Sequence, residues 1–238
     1  MSDMQYFEGS LNPWNMCRSI AFDLRFRRQN PWYFDPCGIW LMCGAQGEGK
    51  TYSAVQALFA LRKMWPAAKI CSNLQINGIP DVIPFEDYSQ LFELSNGIYG
   101  VIFLIDEIQV VWNSLESKNI PVSEIALFCQ MRKDRRVIIG TSQVYSRVAK
   151  PIREQLKYVI LCRNFMKYIQ FNTILDPNAE GYSGEHDGEC EGKVLAHKLF
   201  FHTPEGYQAY DTLNKIARIE RKKEEKAVKK MRKEVVAT

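Results

Sequence analysis

The run GAQGEGKT at residues 44–51 constrains this chain more than any other feature, because it fits the pattern G-x-x-x-x-G-K-[ST] at every fixed position. Its three glycines can adopt backbone conformations closed to other residues, so consecutive N–H groups can turn toward one phosphate. An apolar run at residues 38–43 precedes the loop, and an amphipathic run at residues 51–65 follows it. This order of strand, loop and helix predicts a phosphate site at a helix N-terminus.

We predict that the loop and the first helical turn bind ATP together with Mg²⁺. Lys50 is placed to reach the β- and γ-phosphates, and the Thr51 hydroxyl is placed to complete the Mg²⁺ shell. The predicted nucleotide-binding residues are Gly44, Ala45, Gln46, Gly47, Glu48, Gly49, Lys50, Thr51 and Tyr52.

A second apolar run, at residues 101–105, ends in Asp106 and Glu107. A continuous apolar run is typical of a buried strand in a parallel sheet, and ligands bind at the carboxyl ends of such strands. Asp106 is therefore predicted to hold Mg²⁺, directly or through water, with Thr51. Glu107 is predicted to orient or deprotonate the attacking water, which favours hydrolysis over binding alone.

A third apolar run, at residues 137–143, ends in three polar residues. If this strand lies beside the first two, then Thr141, Ser142 or Gln143 faces the γ-phosphate and can sense its presence. The residues alone leave open which of the three does so.

The segment at residues 121–136 fits a helix that ends in a basic cluster. Three roles are open for this cluster: a solvated face, a contact to nucleic-acid phosphate, or an arginine finger for a neighbouring subunit's γ-phosphate. The candidate finger residues are Arg132, Arg135 and Arg136.

Strands that alternate with helices predict an α/β fold of the P-loop NTPase kind, a mostly parallel sheet flanked by helices. A C-terminal antiparallel strand pair, at residues 168–175 and 193–202, is expected to extend the edge of the sheet. The other predicted elements are a strand at 68–74, a helix near 87–94, and a short helix followed by a strand within 151–163. We divide the chain into an N-terminal lead-in (1–37), a P-loop ATPase domain (38–212) and a basic, helix-favouring tail (213–238).

The composition suits a globular protein, since 46% of the 238 residues are hydrophobic and the net charge is only +4. No apolar run is long enough to span a bilayer and the N-terminus is polar, which predicts a soluble protein of the cytoplasm, that of the host cell if the protein is viral. The seven cysteines form no C-x-x-C pair and are interpreted as reduced thiols, several of them in the core. His186, His197 and His202 are interpreted as structural or solvated.

A basic patch with aromatic neighbours lies near the N-terminus, where RFRR at residues 25–28 is followed by Trp32, Tyr33 and Phe34. This mixture is typical of nucleic-acid binding, and equally of adenine stacking and a subunit contact.

Together these motifs resemble the FtsK–HerA superfamily of P-loop ATPases over residues 38–159. Within it they are most similar to the zonula-occludens-toxin-like assembly ATPases of filamentous phages and to viral DNA-packaging ATPases. The motifs that carry the resemblance are GAQGEGKT, a strand ending SNL, LIDEIQ, QMRKDRRVIIGTSQ and KPIREQLKYVI. The resemblance implies ring oligomers that move DNA, with Asp106 on Mg²⁺, Glu107 as the catalytic carboxylate and Gln143 closing the sensor strand.

The resulting hypothesis is an ATP-hydrolysing oligomeric motor that translocates DNA, in viral or phage genome packaging. Its expected partners are double-stranded DNA, further copies of this chain in a ring, and a viral portal, capsid or membrane assembly protein. The loop at residues 113–120 is a candidate pore loop. The alternatives are an assembly or secretion ATPase that acts with a membrane or protein partner, a nucleotide-gated switch, and a small-molecule kinase.

Overall fold

An eight-stranded sheet organises the chain in the computed structural model, which describes residues 12–87, 89–112, 114–115, 128–182, 185–186 and 189–211. Its strands are β1 (Gly38–Cys43), β2 (Lys69–Ser72), β4 (Val82–Pro84), β5 (Val101–Ile105), β6 (Arg136–Ser142), β7 (Leu156–Phe165), β8 (Ile169–Asp176) and β11 (Lys193–Phe201). Two short pairs lie outside it, β3 (Gln75–Ile76) with β12 (Tyr210–Asp211), and β9 (Glu185–His186) with β10 (Glu189–Cys190). The helices are α1 (Pro13–Gln29), α2 (Lys50–Met64), α3 (Ser89–Glu93), α4 (Ile108–Val111), α5 (Lys150–Arg153) and α6 (Pro204–Gln208).

The strand order is β11-β8-β7-β1-β6-β5-β2-β4, and the six strands from β7 to β4 are parallel. Parallel strands end at one common edge, so the loops after β1, β2, β5 and β6 lie together there. The register confirms this for the phosphate loop, because Cys43 at the end of β1 pairs with Ser142 at the end of β6. The predicted mostly parallel α/β sheet is confirmed.

Two apolar cores cover the two faces of the sheet. In β5, Phe103 and Ile105 pack with α4 on one face, whereas Ile102 and Leu104 belong to the core that contains α2. All five residues of β5 are buried, which explains why this strand is a continuous apolar run rather than an alternating one.

The predicted antiparallel pair is confirmed and forms the edge of the sheet. β8 pairs antiparallel with β7 on one side and with β11 on the other. We call β8 and β11 the antiparallel extension.

The N-terminal lead-in contains a helix, α1, that the sequence did not predict. Asn12 caps it by accepting a hydrogen bond from the Trp14 N–H at 3.0 Å. None of its 17 residues is buried, and Phe26 in its last turn packs edge-on against Tyr33 at 5.0 Å between ring centroids. Because large apolar residues occur around much of the helix, no single stripe marks it in the sequence.

Several predicted segments lie outside the described residues: the first part of the predicted helix, at 121–127, most of the candidate pore loop at 113–120, and the tail at 213–238. In the part of the chain that the structure describes, no helix is long and apolar enough to cross a membrane.

All seven cysteines are free thiols. Cys43, Cys71 and Cys162 are buried, and burial raises the pKa of the Cys71 and Cys162 thiols to about 12. The core interpretation therefore fits these three residues, whereas Cys17 and Cys129 are exposed.

Candidate nucleotide site

The phosphate loop joins β1 to α2 through glycines with left-handed backbones. Gly47 has φ 87° and Gly49, the N-cap of α2, has φ 70°. At Gly49 the space is also closed, because a Cβ would collide with the Gln170 carboxamide. Conformation and crowding together therefore require glycine at position 49.

The first turn of α2 leaves N–H groups free for an anion. The first hydrogen bond of the helix runs from the Ser53 N–H to the Gly49 carbonyl at 2.9 Å. The N–H groups of Lys50, Thr51 and Tyr52 come before it and have no acceptor within the helix. These groups and the helix dipole favour a phosphate at this point. The Lys50 Nζ donates to the Ala45 carbonyl at 2.7 Å and so spans the loop that a phosphate would enter.

A hydroxyl and a carboxylate, the ligands that Mg²⁺ prefers, meet beside the loop. The Thr51 hydroxyl donates to Asp106 Oδ1 at 3.0 Å, and Asp106 is only 8% exposed. The Thr141 hydroxyl donates to the same oxygen at 2.7 Å. This oxygen set fits a Mg²⁺ site made by Thr51 and Asp106, as the sequence predicts.

Glu107 follows in a left-handed conformation, φ 53°, and begins α4. Its N–H donates to the Thr141 hydroxyl at 2.8 Å, so Thr141 fixes both acidic residues. A left-handed glutamate is strained and persists where the surrounding contacts hold it. Of the three polar residues at positions 141–143, Thr141 is therefore the one that organises the acidic pair.

Asn73 is a site residue whose role the sequence did not show. Its side-chain Nδ2 donates to the Asp106 carbonyl at 2.9 Å, and its Oδ1 accepts from the Asp106 N–H at 2.8 Å. Both backbone groups of Asp106 are thus held from the end of β2. The available signal was a polar pair, Ser72 and Asn73, that closes an apolar strand in the same way as the polar residues that close β6.

Gln143 lines a cavity of about 680 Å³ beside the phosphate loop, together with Gly44, Ala45, Gln46, Glu48, Arg163 and Asn164. This volume lies in the range of ligand pockets. The Oδ1 of Asn164 is buried and has no hydrogen-bond partner among the described residues, which is consistent with a polar ligand here. Arg163 and Asn164 at the end of β7 were not predicted, because the sequence did not show that β7 lies next to β1.

Tyr52 contributes its backbone to the site and its side chain elsewhere. The Tyr52 hydroxyl accepts from the Thr203 N–H at 3.0 Å, and its ring stacks on His202 with centroids 3.9 Å apart. The Tyr52 side chain is therefore engaged away from the loop, and only its N–H group is available for the predicted nucleotide contact.

The three candidate finger arginines lie near the amino ends of the strands, since Arg136 pairs with Val101 at the start of β5. Arg136 is buried, forms an ion pair with Asp134 at 3.2 Å and donates to the Phe92 carbonyl at 3.0 Å. The Arg135 guanidinium lies over the Tyr33 ring, 4.5 Å from its centroid. Both guanidinium groups therefore have contacts within this chain, whereas Arg132 is exposed.

Adenine stacking by Tyr33 or Phe34 does not fit their positions. Phe34 is buried against Trp65, and Tyr33 packs between Phe26 and Arg135 at the edge of the sheet opposite the phosphate loop. Of this aromatic group, Trp32 is half exposed.

Thr141→Val is expected to lower the free energy of unfolding by about 1–3 kcal/mol, because it leaves the Glu107 N–H without its acceptor and removes a donor to Asp106. Hydrolysis should fall with it, because both acidic residues lose their common support. Thr141→Ser keeps the hydroxyl and should retain most of both. Urea unfolding and steady-state hydrolysis measure the two effects. A valine variant as stable as the parent protein would show that this hydroxyl does not hold the pair.

The chain has the fold of the P-loop ATPases. Its defining features are the mostly parallel sheet, the glycine-rich loop between β1 and α2, and Asp106 directly after β5. Among solved structures, the chain is similar to the N-terminal domain of zonular occludens toxin from Neisseria meningitidis, with a TM-score of 0.54 and 14% identity. That match covers 73% of this chain and 98% of the other. At this identity, the likeness shows a common fold.

Two further solved structures match with lower TM-scores. The genome packaging NTPase B204 from Sulfolobus turreted icosahedral virus 2, in complex with sulfate, has a TM-score of 0.48 at 14% identity, over 71% of this chain and 97% of that chain. The DNA-packaging ATPase B204 from Sulfolobus turreted icosahedral virus has 0.46 at 13% identity, over 71% and 98%. No protein-family model and no curated protein sequence matches the chain at a significant level.

Proposed function

We propose that this chain binds Mg·ATP and hydrolyses it to ADP and phosphate, as a subunit of an oligomeric motor that moves DNA, in genome packaging by a virus or phage. The observation that carries the proposal is the convergence of Thr51 and Thr141 on one oxygen of Asp106, beside the free N–H groups of the phosphate loop. A chance phosphate-loop match would not bring the residue after the loop lysine onto an acidic strand end 55 residues away.

Each residue of the site has a distinct task. The N–H groups of the first turn of α2 bind phosphate oxygens. Lys50 leaves the Ala45 carbonyl and binds the β- and γ-phosphates instead. Thr51 and Asp106 hold Mg²⁺, which when bound neutralises charge on the phosphates. Glu107 takes a proton from the water that attacks the γ-phosphorus, while the β-phosphate oxygen leaves with ADP.

In a ring of subunits, the exposed Arg132 is the candidate arginine finger. In the proposed assembly, Arg132 of one subunit reaches the γ-phosphate held by its neighbour and stabilises charge that develops during transfer. Gln143 lines the cavity beside the loop, which supports the proposal that it senses the γ-phosphate.

DNA as cargo is supported by α1 and by the resemblance of residues 38–159 to DNA-moving ATPases. The helix exposes Arg18, Arg25, Arg27 and Arg28 and contains one acidic residue, Asp23; Arg27 also forms an exposed ion pair with Asp35 at 3.2 Å. Arginines on an exposed helix favour contacts to phosphates, which do not depend on base sequence. A viral portal, capsid or membrane assembly protein is the further partner that this function requires.

We expect long double-stranded DNA to stimulate steady-state ATP hydrolysis, and the stimulation to weaken as salt rises, because phosphate contacts release counterions. Arg25→Ala combined with Arg28→Ala should reduce the stimulation while leaving DNA-free hydrolysis unchanged. Lys63→Ala, an exposed position at the end of α2, is the matched control for lost positive charge.

Measurement over a range of protein concentrations also tests the ring, because a finger supplied by a neighbour makes specific activity rise with assembly. Hydrolysis that is indifferent to DNA would contradict the DNA motor and favour the assembly or secretion ATPase with a protein or membrane partner. A protein that is assembled but does not hydrolyse ATP would contradict the enzymatic proposal itself.

A further inference from the structure

Gln170, in β8 of the antiparallel extension, reaches the phosphate loop from outside the parallel sheet. It is fully buried, and its Nε2 donates to the Glu48 carbonyl at 3.0 Å and to Asn172 Oδ1 at 2.8 Å. Both of its N–H bonds are therefore used, one of them on the backbone of the loop.

The contact fixes one peptide plane of the loop. In a trans peptide the C=O and the following N–H point in opposite directions. Because the Glu48 carbonyl is held toward Gln170, the Gly49 N–H points away from β8. The Gln170 carboxamide also fills the space that a Cβ on Gly49 would need, so the loop cannot shift toward the extension at this point.

A second contact from the same strand holds the start of α2. The Asn172 Nδ2 donates to the Ser53 hydroxyl at 3.0 Å, and both residues are buried. The loop and the first helical turn are thus supported by neighbouring inward-facing residues of β8.

The other end of Gln170 connects to the C-terminal part of the described chain. Since both N–H bonds of Gln170 are used, its Oε1 accepts, and His202 Nε2, 3.0 Å away, must carry the proton. Burial lowers the pKa of His202 and so favours the neutral ring, whose Nδ1 lies 2.5 Å from the Tyr207 hydroxyl. The one proton of that hydroxyl is shared between Nδ1 and the Lys167 carbonyl, 3.0 Å away. One chain of hydrogen bonds therefore runs from α6 through His202 and Gln170 to the phosphate loop.

We propose that Gln170 is a positioning residue for the phosphate loop, and that through His202 it makes nucleotide affinity depend on how residues 203–211 are docked. This inference rests on the proposed nucleotide-binding function. Gln170 acts by presetting the Gly49 N–H toward the phosphate, so that binding does not have to order this peptide. Displacement of α6 takes Tyr207 away from His202 Nδ1, which frees the ring that donates to Gln170 Oε1 and so loosens the same peptide.

The test is Gln170→Met, which keeps the length of the side chain and removes its hydrogen bonds. We expect ADP to bind about tenfold more weakly by calorimetry, because a partly buried carbonyl of the loop loses its partner. His202→Phe keeps a ring over Tyr52 and removes the donor to Oε1 together with the contact to the Tyr207 hydroxyl, so we expect a smaller loss of about threefold. Thr173→Val is the matched control: it breaks a β8–β11 contact, Thr173 Oγ1 to His197 Nδ1 at 3.2 Å, that does not touch the loop.

Hydrogen exchange without nucleotide separates this inference from the proposed function. The Gln170→Met and His202→Phe variants should exchange faster over residues 44–52, and the Thr173→Val variant should not. Faster exchange in these two variants, combined with a parent protein that binds no ADP, would overturn the proposed function and leave the support of the loop intact. Parent-like affinity and exchange in variants that melt as folded proteins would overturn the inference, since a purely structural role would change the melting temperature alone.

Discussion

Replacing Glu107 with Gln is expected to lower single-turnover ATP hydrolysis by about 10²–10⁴-fold, the usual contribution of a general base. The substitution keeps the size of the side chain and the N–H that Thr141 holds, and it removes the carboxylate that is proposed to take the proton. ATP binding should stay within about twofold of the parent protein, because Lys50, Thr51 and Asp106 are unchanged. Retained binding combined with lost turnover would identify Glu107 as a catalytic carboxylate.

Glu93→Gln is the matched control, because Glu93 is an exposed acidic residue at the end of α3. It should hydrolyse ATP at the parent rate. If Glu107→Gln also turned over at the parent rate, the water would have to be activated by another group and the assignment would be wrong. If the variant lost ATP binding as well, the carboxylate would contribute to binding and a purely catalytic role for Glu107 would be wrong.

Replacing Lys50 with Ala is expected to weaken ATP binding by about 10- to 100-fold, since hydrogen bonds to charged groups contribute about 1.5–3 kcal/mol each. Hydrolysis should fall to background, because the same ammonium group balances charge on the γ-phosphate. The melting temperature without nucleotide should change little, because the Lys50 contact to the Ala45 carbonyl is exposed.

Equilibrium binding of ATP and ADP measures the effect, with Lys63→Ala as the control on the same helix. The loss should be larger for ATP than for ADP, because the γ-phosphate is the group that ADP lacks. Equal losses would place Lys50 on the shared phosphates, and parent-like binding of both nucleotides would contradict the predicted site.

The motif residues were predictable from the sequence because each lies in a local pattern. Lys50 and Thr51 belong to a contiguous loop, and Asp106 and Glu107 follow a fully apolar strand. The structure brings Thr51 and Asp106 together, while their roles in binding and catalysis stay predictions.

Contacts between residues that are distant in the sequence could not be predicted, because a local sequence pattern does not specify which segments pack together. Arg136 belongs to a basic run, yet its side chain is buried, forms an ion pair with Asp134 and donates to the Phe92 carbonyl. Asn73 and Gln170 contact partners 33 and 122 residues away, and no spacing rule predicts such pairs.

The sequence by itself determined the phosphate loop, the acidic strand end and the α/β order, because glycine conformation and apolar runs act over a few neighbouring residues. Only the tertiary structure decided that Thr141 supports Asp106 and Glu107 and that Gln170 holds the loop. The physical reason is that a buried hydrogen bond needs both partners at about 3 Å, and only the strand order of the folded sheet brings together residues that lie far apart in the chain.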